Sequence, residues 1–337
     1  NDLFSIYANY KTSIDKVLPN SYFMAGYKHL DGLNAAHIGI STVLAKKHNV
    51  SLQFKTMIRK EEADLNYLLN PTEWTAGKRN NVVDFTYNYR YRISNSYFTG
   101  NGNINAGLRA SSLFSDSQYQ YAYLNVVNKL RRSKIDARTR VYIQAGSGNA
   151  PAESALFLAG ANNESLMDNK YTRSLAFRRM DAGGFGPLTN HFHHGGGLNL
   201  RGYSGYLVAD EDVEVNGEQA FAYKGNAGWA LNAEVEFDKY ISPFIPKSKW
   251  LKPFSLDAYW FFDIGSLQYT LANGDKDFTD IRFDTGVGAA VTIKKWWLLE
   301  KVKPLTIRFD VPLIVNHRPF DESFIKFRWL LGVNRAF

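Results

Sequence analysis

The chain alternates. From Val83 to Ile93, the apolar residues Val83, Phe85, Tyr87, Tyr89, Tyr91 and Ile93 occupy one parity, and Asp84, Thr86, Asn88, Arg90 and Arg92 the other. Successive side chains of a strand point to opposite faces, so a period of two marks a sheet that is apolar on one face and polar on the other. The pattern returns at 229–238, where Trp229, Leu231, Ala233, Val235 and Phe237 are interleaved with Asn232, Glu234 and Glu236. It returns again at 281–293, with Ile281, Phe283, Val287, Ala289, Val291 and Ile293 against Arg282, Asp284, Gly286 and Gly288. At 305–315, Leu305, Ile307, Phe309, Val311, Leu313 and Val315 stand against Thr306, Arg308 and Asp310.

A soluble β-sandwich also alternates, but its inner faces leave little room for an apolar parity this rich in aromatics. Aromatic residues make up 15% of the chain, with 20 Tyr, 23 Phe and 7 Trp. That suits a wall with aromatic girdles at both membrane interfaces. The polar parity carries both signs of charge, Glu234 and Glu236 against Arg282 and Arg308, which suits a wet lumen. Mean hydropathy is −0.32, and no apolar run approaches the ~18–20 residues of a spanning helix, so a membrane chain of this kind crosses as strands. A length of 337 residues exceeds the ~150 expected of one domain. A closed sheet escapes that limit because it grows without thickening its core. The fold expected is therefore all-β, a transmembrane antiparallel β-barrel forming one outer-membrane domain over 1–337.

The net charge of +8 does not point to nucleic acid, because Arg and Lys alternate with apolar residues along strands and do not cluster. The absence of cysteine fits passage through an oxidising periplasm. The chain begins at Asn1 without a signal peptide, as a mature chain or a piece of a longer one does.

Strands are expected near 3–13, 20–29, 34–45, 49–60, 80–94, 98–114, 118–130, 136–147, 153–160, 228–238, 254–269, 281–294, 304–315 and 323–336, fourteen in all. Joints such as Asp31-Gly32 and Lys47-His48-Asn49 are tight, and the stretches 60–79 and 161–227 are long. Short turns on one side and long loops on the other are usual for outer-membrane barrels. In the final segment Ile325, Phe327, Trp329, Leu331 and Val333 face one way, while Lys326, Arg328, Gly332 and Asn334 face the other. Phe337 follows, and a terminal aromatic on an alternating strand resembles the sorting signal of outer-membrane barrels.

Several motifs fall in a fixed order. Gly195-Gly196-Gly197-Leu198-Asn199-Leu200 leads into Arg201-Gly202-Tyr203 on the long loop, after the stretch Ala152 to Ala161. Phe261-Phe262-Asp263-Ile264-Gly265 follows, then Gly286-Val287-Gly288, then the pairs Pro304-Leu305 and Pro312-Leu313. This order resembles the outer-membrane protein 85 superfamily, the bacterial surface antigen family of protein insertases and two-partner-secretion translocators. The resemblance covers 150 to 337, and the first half matches only as generic barrel strands.

The resemblance implies sixteen strands and a long extracellular loop folded into the lumen, tipped by Arg201, Gly202 and Tyr203. It assigns Arg201 to Asp263, with Phe261, Gly265, Gly286 and Gly288 as the family's strand motifs. Strand parity puts Asp263 on the lumenal side with Asp257, Tyr259 and Phe261, and adds Glu234 and Glu236 as neighbouring lumen acids. A guanidinium reaching a wall carboxylate makes a charge-assisted, often bidentate bond that can fix a loop tip. Two departures stand out. The loop carries an extra segment between Ala161 and His191, and nine strands precede the Arg tip where the resemblance implies eleven. Either strands are merged or the chain begins inside a longer polypeptide; the family's periplasmic repeats are absent from it.

His191, His193 and His194 are expected to be solvated loop residues, since neighbours on a flexible loop seldom converge on a metal. The acidic run Asp210, Glu211, Asp212 and Glu214 offers the oxygens that calcium takes, but its spacing matches no EF-hand loop, and a solvated loop face is the expected reading. Doublets such as Gly183-Gly184 are turn chemistry. No nucleophile elbow, zinc helix motif or phosphate loop occurs, and His37 is one candidate acid–base group among many, with nothing in the sequence to support it. The chain is therefore expected to be neither enzyme nor cofactor-binding protein. Its expected place is the bacterial outer membrane, among lipids and lipopolysaccharide. Expected partners are an unfolded protein substrate and accessory lipoproteins. The other reading is a membrane anchor and exporter of a fused passenger or enzyme domain encoded before residue 1. A passive porin fits poorly with a loop tip filling the lumen.

Overall fold

A computed structural model describes residues 6–30, 32–60, 75–169, 191–204, 209–215, 218–221, 224–241, 253–270, 275–294, 304–317 and 323–337. Eight strands come first: β1 (Ile6–Ser13), β2 (Ser21–Leu30), β3 (Leu33–Leu44), β4 (His48–Arg59), β5 (Arg79–Ser94), β6 (Thr99–Ser111), β7 (Tyr119–Arg132) and β8 (Ile135–Gly148). The long loop then holds β9 (Leu156–Phe157), α1 (Asn163–Asp168), the 3-10 turn Arg201–Tyr203, β10 (Ala209–Val215), β11 (Glu218–Phe221) and β12 (Lys224–Gly225). The wall resumes with β13 (Gly228–Glu236), α2 (Asp238–Ile241), β14 (Phe254–Thr270), β15 (Lys276–Phe278), β16 (Arg282–Ile293), β17 (Leu305–Val315) and β18 (Leu330–Val333).

The wall is one antiparallel sheet in the order β1-β2-β3-β4-β5-β6-β7-β8-β13-β14-β16-β17-β18, with β15 added on β14, fourteen strands in total. The molecule is an outer-membrane β-barrel. Its lipid face is the aromatic and aliphatic parity read from the sequence: Leu52, Phe85, Leu108, Ile143, Trp260 and Phe309 are all exposed. Outside a membrane such a surface would be an association hazard; within hydrocarbon it is the solvated side.

Three expectations need correction. The segment 153–160 is not a wall strand. Glu153, Ser154, Ala155 and Leu156 are all buried, and only Leu156–Phe157 pair, with β12 inside the loop. A segment buried all round offers no lipid face, and its apolar content alone imitated one. The wall count reaches fourteen through the three-residue β15, and among the described residues it does not reach the sixteen that the resemblance implies. The expected strand 323–336 shrinks to Leu330–Val333, with Ile325 bridging only to Ile314. Asn334 takes a left-handed φ of 69° and turns the chain off the sheet.

The pairing of β16 with β17 slips between Thr285 and Gly286, so that Gly286 faces Pro312. Proline has no N–H for the ladder, and a bulge is where a sheet tolerates it. The lumenal side of this half is also drier than the sequence suggests. Asn232, Glu234, Asp263, Arg282, Asp284, Arg308 and Asp310 are buried, because the long loop lies against them.

Candidate functional site

The loop tip is shaped by the glycine run. Gly197 and Asn199 have φ values of 54° and 61°, left-handed conformations that turn the chain tightly. Between them Leu198 N–H donates to Phe157 O at 2.9 Å, and Leu200 N–H to Leu158 O at 3.1 Å. Leu198, Leu200 and Tyr203 then pack with Leu156, Leu158, Ala230, Leu267 and Val315 in one apolar cluster. The loop thus brings its own small core to the wall. Arg140 of β8 grips the turn from outside the cluster, donating to Gly197 O at 2.6 Å.

The 3-10 turn presents Arg201 to three strands. Its Nε donates to Asp263 Oδ2 at 2.7 Å and its Nη2 to Asp263 Oδ1 at 3.1 Å, a bidentate fork on β14. Its Nη1 donates to Glu234 Oε1 on β13 at 2.8 Å and lies 3.8 Å from Asp310 Oδ2 on β17. The guanidinium centre stands 3.9 Å from the centroid of the Phe261 ring, a cation–π contact. Arg201, Asp263 and Glu234 are all 0% exposed. Charges this dry persist only when each is paired. Asp263 also accepts from Asn232 Nδ2 at 3.0 Å.

The glycines make room for this arrangement. A Cβ on Gly202 would lie 2.5 Å from Asp284 Cβ, and one on Gly288 would lie 2.5 Å from both Tyr259 Cε2 and Asp310 Oδ1. The Gly288 gap admits the Tyr259 hydroxyl, which donates to Asp310 Oδ1 at 2.5 Å. A Cβ on Gly265 or Gly286 would strike the carbonyl of Trp229 or Val311, at 2.4 and 2.0 Å. Tyr203 reaches past the tip and donates to Asn316 Oδ1 at 2.5 Å.

Glu236 lies on the same face but does not reach Arg201. It accepts from Arg138 Nε at 2.7 Å and Arg335 Nη2 at 2.9 Å. Arg335 also donates to Glu234 at 2.5 Å. Phe337 is not part of a strand: it lies beyond β18, its ring centroid 6.0 Å from the Arg201 guanidinium centre. Asp310 and Asn232 lie on the lumenal parity of their strands and could have been found by that rule; Arg335 could not, because it lies where the strand pattern has ended.

A second anchor escaped the sequence entirely. In α1, Asn162 caps the N-terminus by accepting from Ser165 N–H at 3.0 Å. Glu164 accepts from Arg109 at 2.6 and 2.9 Å and from Lys55 at 2.9 Å, while Asp84 holds the other side of Arg109 at 2.5 and 2.7 Å. Burial pushes the Glu164 carboxyl up, but Arg109 and Lys55 outweigh it and hold the group well below the usual carboxylate range. Glu153 pairs with Arg59 at 2.9 Å, Asp168 pairs with Lys28, and Met167 packs on Leu33 and Met57. The loop is therefore fixed on β2 to β6 by its first half and on β13, β14 and β17 by its tip. His37 lines a lumenal cavity of about 220 Å³ beside Lys28, Lys55 and Glu164.

Of the three loop histidines expected to be solvated, His193 is buried and His191 and His194 are half-buried. His193 is 1% exposed, its Nε2 2.8 Å from Ala159 O and its Nδ1 2.7 Å from Arg308 Nη2. The backbone of the acidic run Asp210 to Glu214 lies in β10, with its side chains outside the described residues, as are Gly183 and Gly184 and the rest of 170–190.

No protein-family model matches this sequence, and no curated protein is similar enough to match. Among solved structures, the chain is similar to BamA from Haemophilus ducreyi lacking POTRA domains 1-3, at a TM-score of 0.51 and 12% identity, over 98% of this chain and 62% of that one. OccAB2 of Acinetobacter baumannii superposes at a TM-score of 0.44 and 11% identity, over 98% and 66%. The chain thus spans less than two thirds of the length of the BamA chain, and the likeness is one of fold.

Proposed function

We propose that this barrel belongs to the outer-membrane protein 85 superfamily and moves or inserts other proteins at the bacterial outer membrane. The observation that carries the reading is the Arg201 tip, whose guanidinium is forked on Asp263 and bonded to Glu234 in a water-excluded patch of the barrel wall. Each buried charge costs several kcal/mol of desolvation unless paired, so the tip is a fixed part of the barrel and not a free surface loop. The BamA-like fold supports the same reading. In it the chain carries no chemistry of its own. Its partners are an unfolded protein with alternating strands, accessory lipoproteins and the surrounding lipid and lipopolysaccharide.

The test is reconstitution into lipid vesicles, with an unfolded outer-membrane protein added and its folded fraction followed in time. Faster folding of the client than on empty vesicles is expected, with no steady large conductance in a planar bilayer. A large constant pore with no effect on client folding would overturn the proposal.

A further inference from the structure

The two ends of the wall differ in charge. The long loop leaves β8 after Gly148 and rejoins the wall at Gly228 of β13, at one end of the sheet. At the opposite end the hairpins β3–β4, β5–β6 and β7–β8 close through the short joints 45–47, 95–98 and 133–134. Short turns belong to the periplasmic end of an outer-membrane barrel. Lys46, Lys47, Arg132 and Lys134 are exposed on these joints or beside them, and the three joints contain no Asp or Glu. The joint 14–20 adds one charge of each sign, Asp15 and Lys16. At the loop end the signs are mixed: Asp116, Asp275, Asp277 and Asp280 are exposed, as are Lys78, Arg79 and Lys276.

Arg132 is the most telling of these cations. On β7 it shares the lipid-facing parity of Leu124 and Leu130 and is the last residue of the strand. A guanidinium on that face is stable only where the hydrocarbon has given way to headgroups. Its centre stands 6.0 Å from the Tyr97 centroid and 5.8 Å from that of Phe98. Those rings sit on a turn fixed by Asn95, whose side chain accepts from Tyr97 N–H at 2.9 Å and Phe98 N–H at 2.7 Å. On the next joint Lys134 Nζ lies 5.5 Å from the Tyr240 centroid of α2. The acid closest in sequence, Asp136, is bonded to Lys239 at 2.7 Å and lies 3.9 Å from Arg131. Among the described residues no carboxylate pairs with Arg132 or Lys134. The same end of the lipid face carries an aromatic belt: His48 stacks on Tyr89 at 4.5 Å, and the Tyr91 hydroxyl donates to Asn128 Oδ1 at 2.5 Å. Such belts mark the membrane interface.

We propose that the Arg132–Lys134 rim is a docking site for an anionic phospholipid of the periplasmic leaflet. The two cations take its phosphate, and its acyl chains stay on the lipid face of the wall. The rings of Tyr97, Phe98 and Tyr240 hold the cations at headgroup level, and a phosphodiester supplies the acceptor oxygens that no carboxylate of the barrel provides there. An acidic protein is the other occupant that a basic rim suits. Arg132 lies on the lipid-facing parity, which favours an occupant already in the membrane over one arriving through water. The proposal rests on the outer-membrane fold alone and stands whether or not the barrel moves other proteins.

The test titrates the folded barrel in a neutral detergent with phosphatidylglycerol or phosphatidylcholine and counts bound lipids by native mass spectrometry. Phosphatidylglycerol is expected to bind the more tightly. Arg132→Gln and Lys134→Gln are each expected to weaken it about fivefold, the attraction of one cation to an anionic membrane surface, and to leave phosphatidylcholine little changed. Arg132→Lys keeps the charge and is expected to retain most of the preference. Lys276→Gln, at the loop end, is expected to change neither lipid. All three side chains are exposed, and the gel mobility of unboiled protein checks that each variant is a folded barrel. Equal affinity for the two lipids would overturn the proposal. So would a phosphatidylglycerol preference that survives Arg132→Gln combined with Lys134→Gln, or one that Lys276→Gln lowers as much.

Discussion

The Arg201 anchor can be weighed by a double-mutant cycle of Arg201→Ala and Asp263→Ala, alone and together. Arg201 makes two charge-assisted bonds to Asp263 and one to Glu234, over the Phe261 ring. Removing it leaves Asp263 with Asn232 as a side-chain donor, whereas Glu234 keeps Arg335. Truncating one partner of a buried pair costs about 3–5 kcal/mol, and most of that falls on the orphaned Asp263. Asp263→Ala orphans less, because Arg201 retains Glu234, so about 2–3 kcal/mol is expected for it, near the worth of its charged hydrogen bonds. The double variant removes both charges and is expected to recover about 2 kcal/mol relative to the sum of the singles. The assay is equilibrium unfolding in urea of protein refolded into vesicles, with protease protection of the loop read in parallel. Additive losses, with a coupling below about 0.5 kcal/mol, would refute the view that the tip is held by this pair.

Glu164→Gln removes the carboxylate that Arg109 and Lys55 share while leaving the wall strands intact. It is expected to free the first half of the loop, raising cleavage there by limited proteolysis while Arg201 stays docked; unchanged cleavage would show that α1 is held without Glu164, by Met167 packing and the Asp168–Lys28 and Glu153–Arg59 pairs. Acid should loosen the loop at His193. His193 is held well below its ordinary 6.5 by burial first, then by Arg308, Arg201 and His194, with only the Ala159 carbonyl favouring its protonated form. The unfolded imidazole binds a proton below 6.5 and the folded one does not, so this contribution is complete above that pH and declines as pH falls through it. A spin label on F192C is expected to gain mobility between pH 7 and 5, and His193→Gln to flatten the change; a flat wild-type profile would exclude the mechanism.

The wall was legible because strand parity is a local rule. Phe85, Trp260 and Phe309 face lipid, and Asp263 and Glu234 face inward, by counting alone. The loop was legible only at its tip, where glycines and an arginine leave a compositional mark. Glu164 sits in a six-residue helix whose meaning comes from Lys55 and Arg109, far away along the chain, and no periodicity encodes such a meeting. The segment at 153–160 misled for the opposite reason: Leu156 and Leu158 are apolar because they pack under the tip, and a buried loop strand and a lipid-facing one share the same residues. His193 looked solvated because its neighbours are polar and glycine-rich, whereas its partners Arg308 and Ala159 lie on other elements.

The direct pairing of β8 with β13 brackets the entire loop, and this constrains the order of assembly. β1 to β8 are joined as consecutive hairpins and can zip locally, as can most of β13 to β18. Joining the two blocks closes one long chain segment, a step of high contact order and therefore a slow one. Arg140 on β8 and Asn232 on β13 are neighbours in that ladder, bonded to each other at 2.8 Å, and both hold the turn before Arg201. The β8–β13 joint and the turn before Arg201 therefore share their hydrogen bonds, and in the finished molecule neither contact is complete without the other.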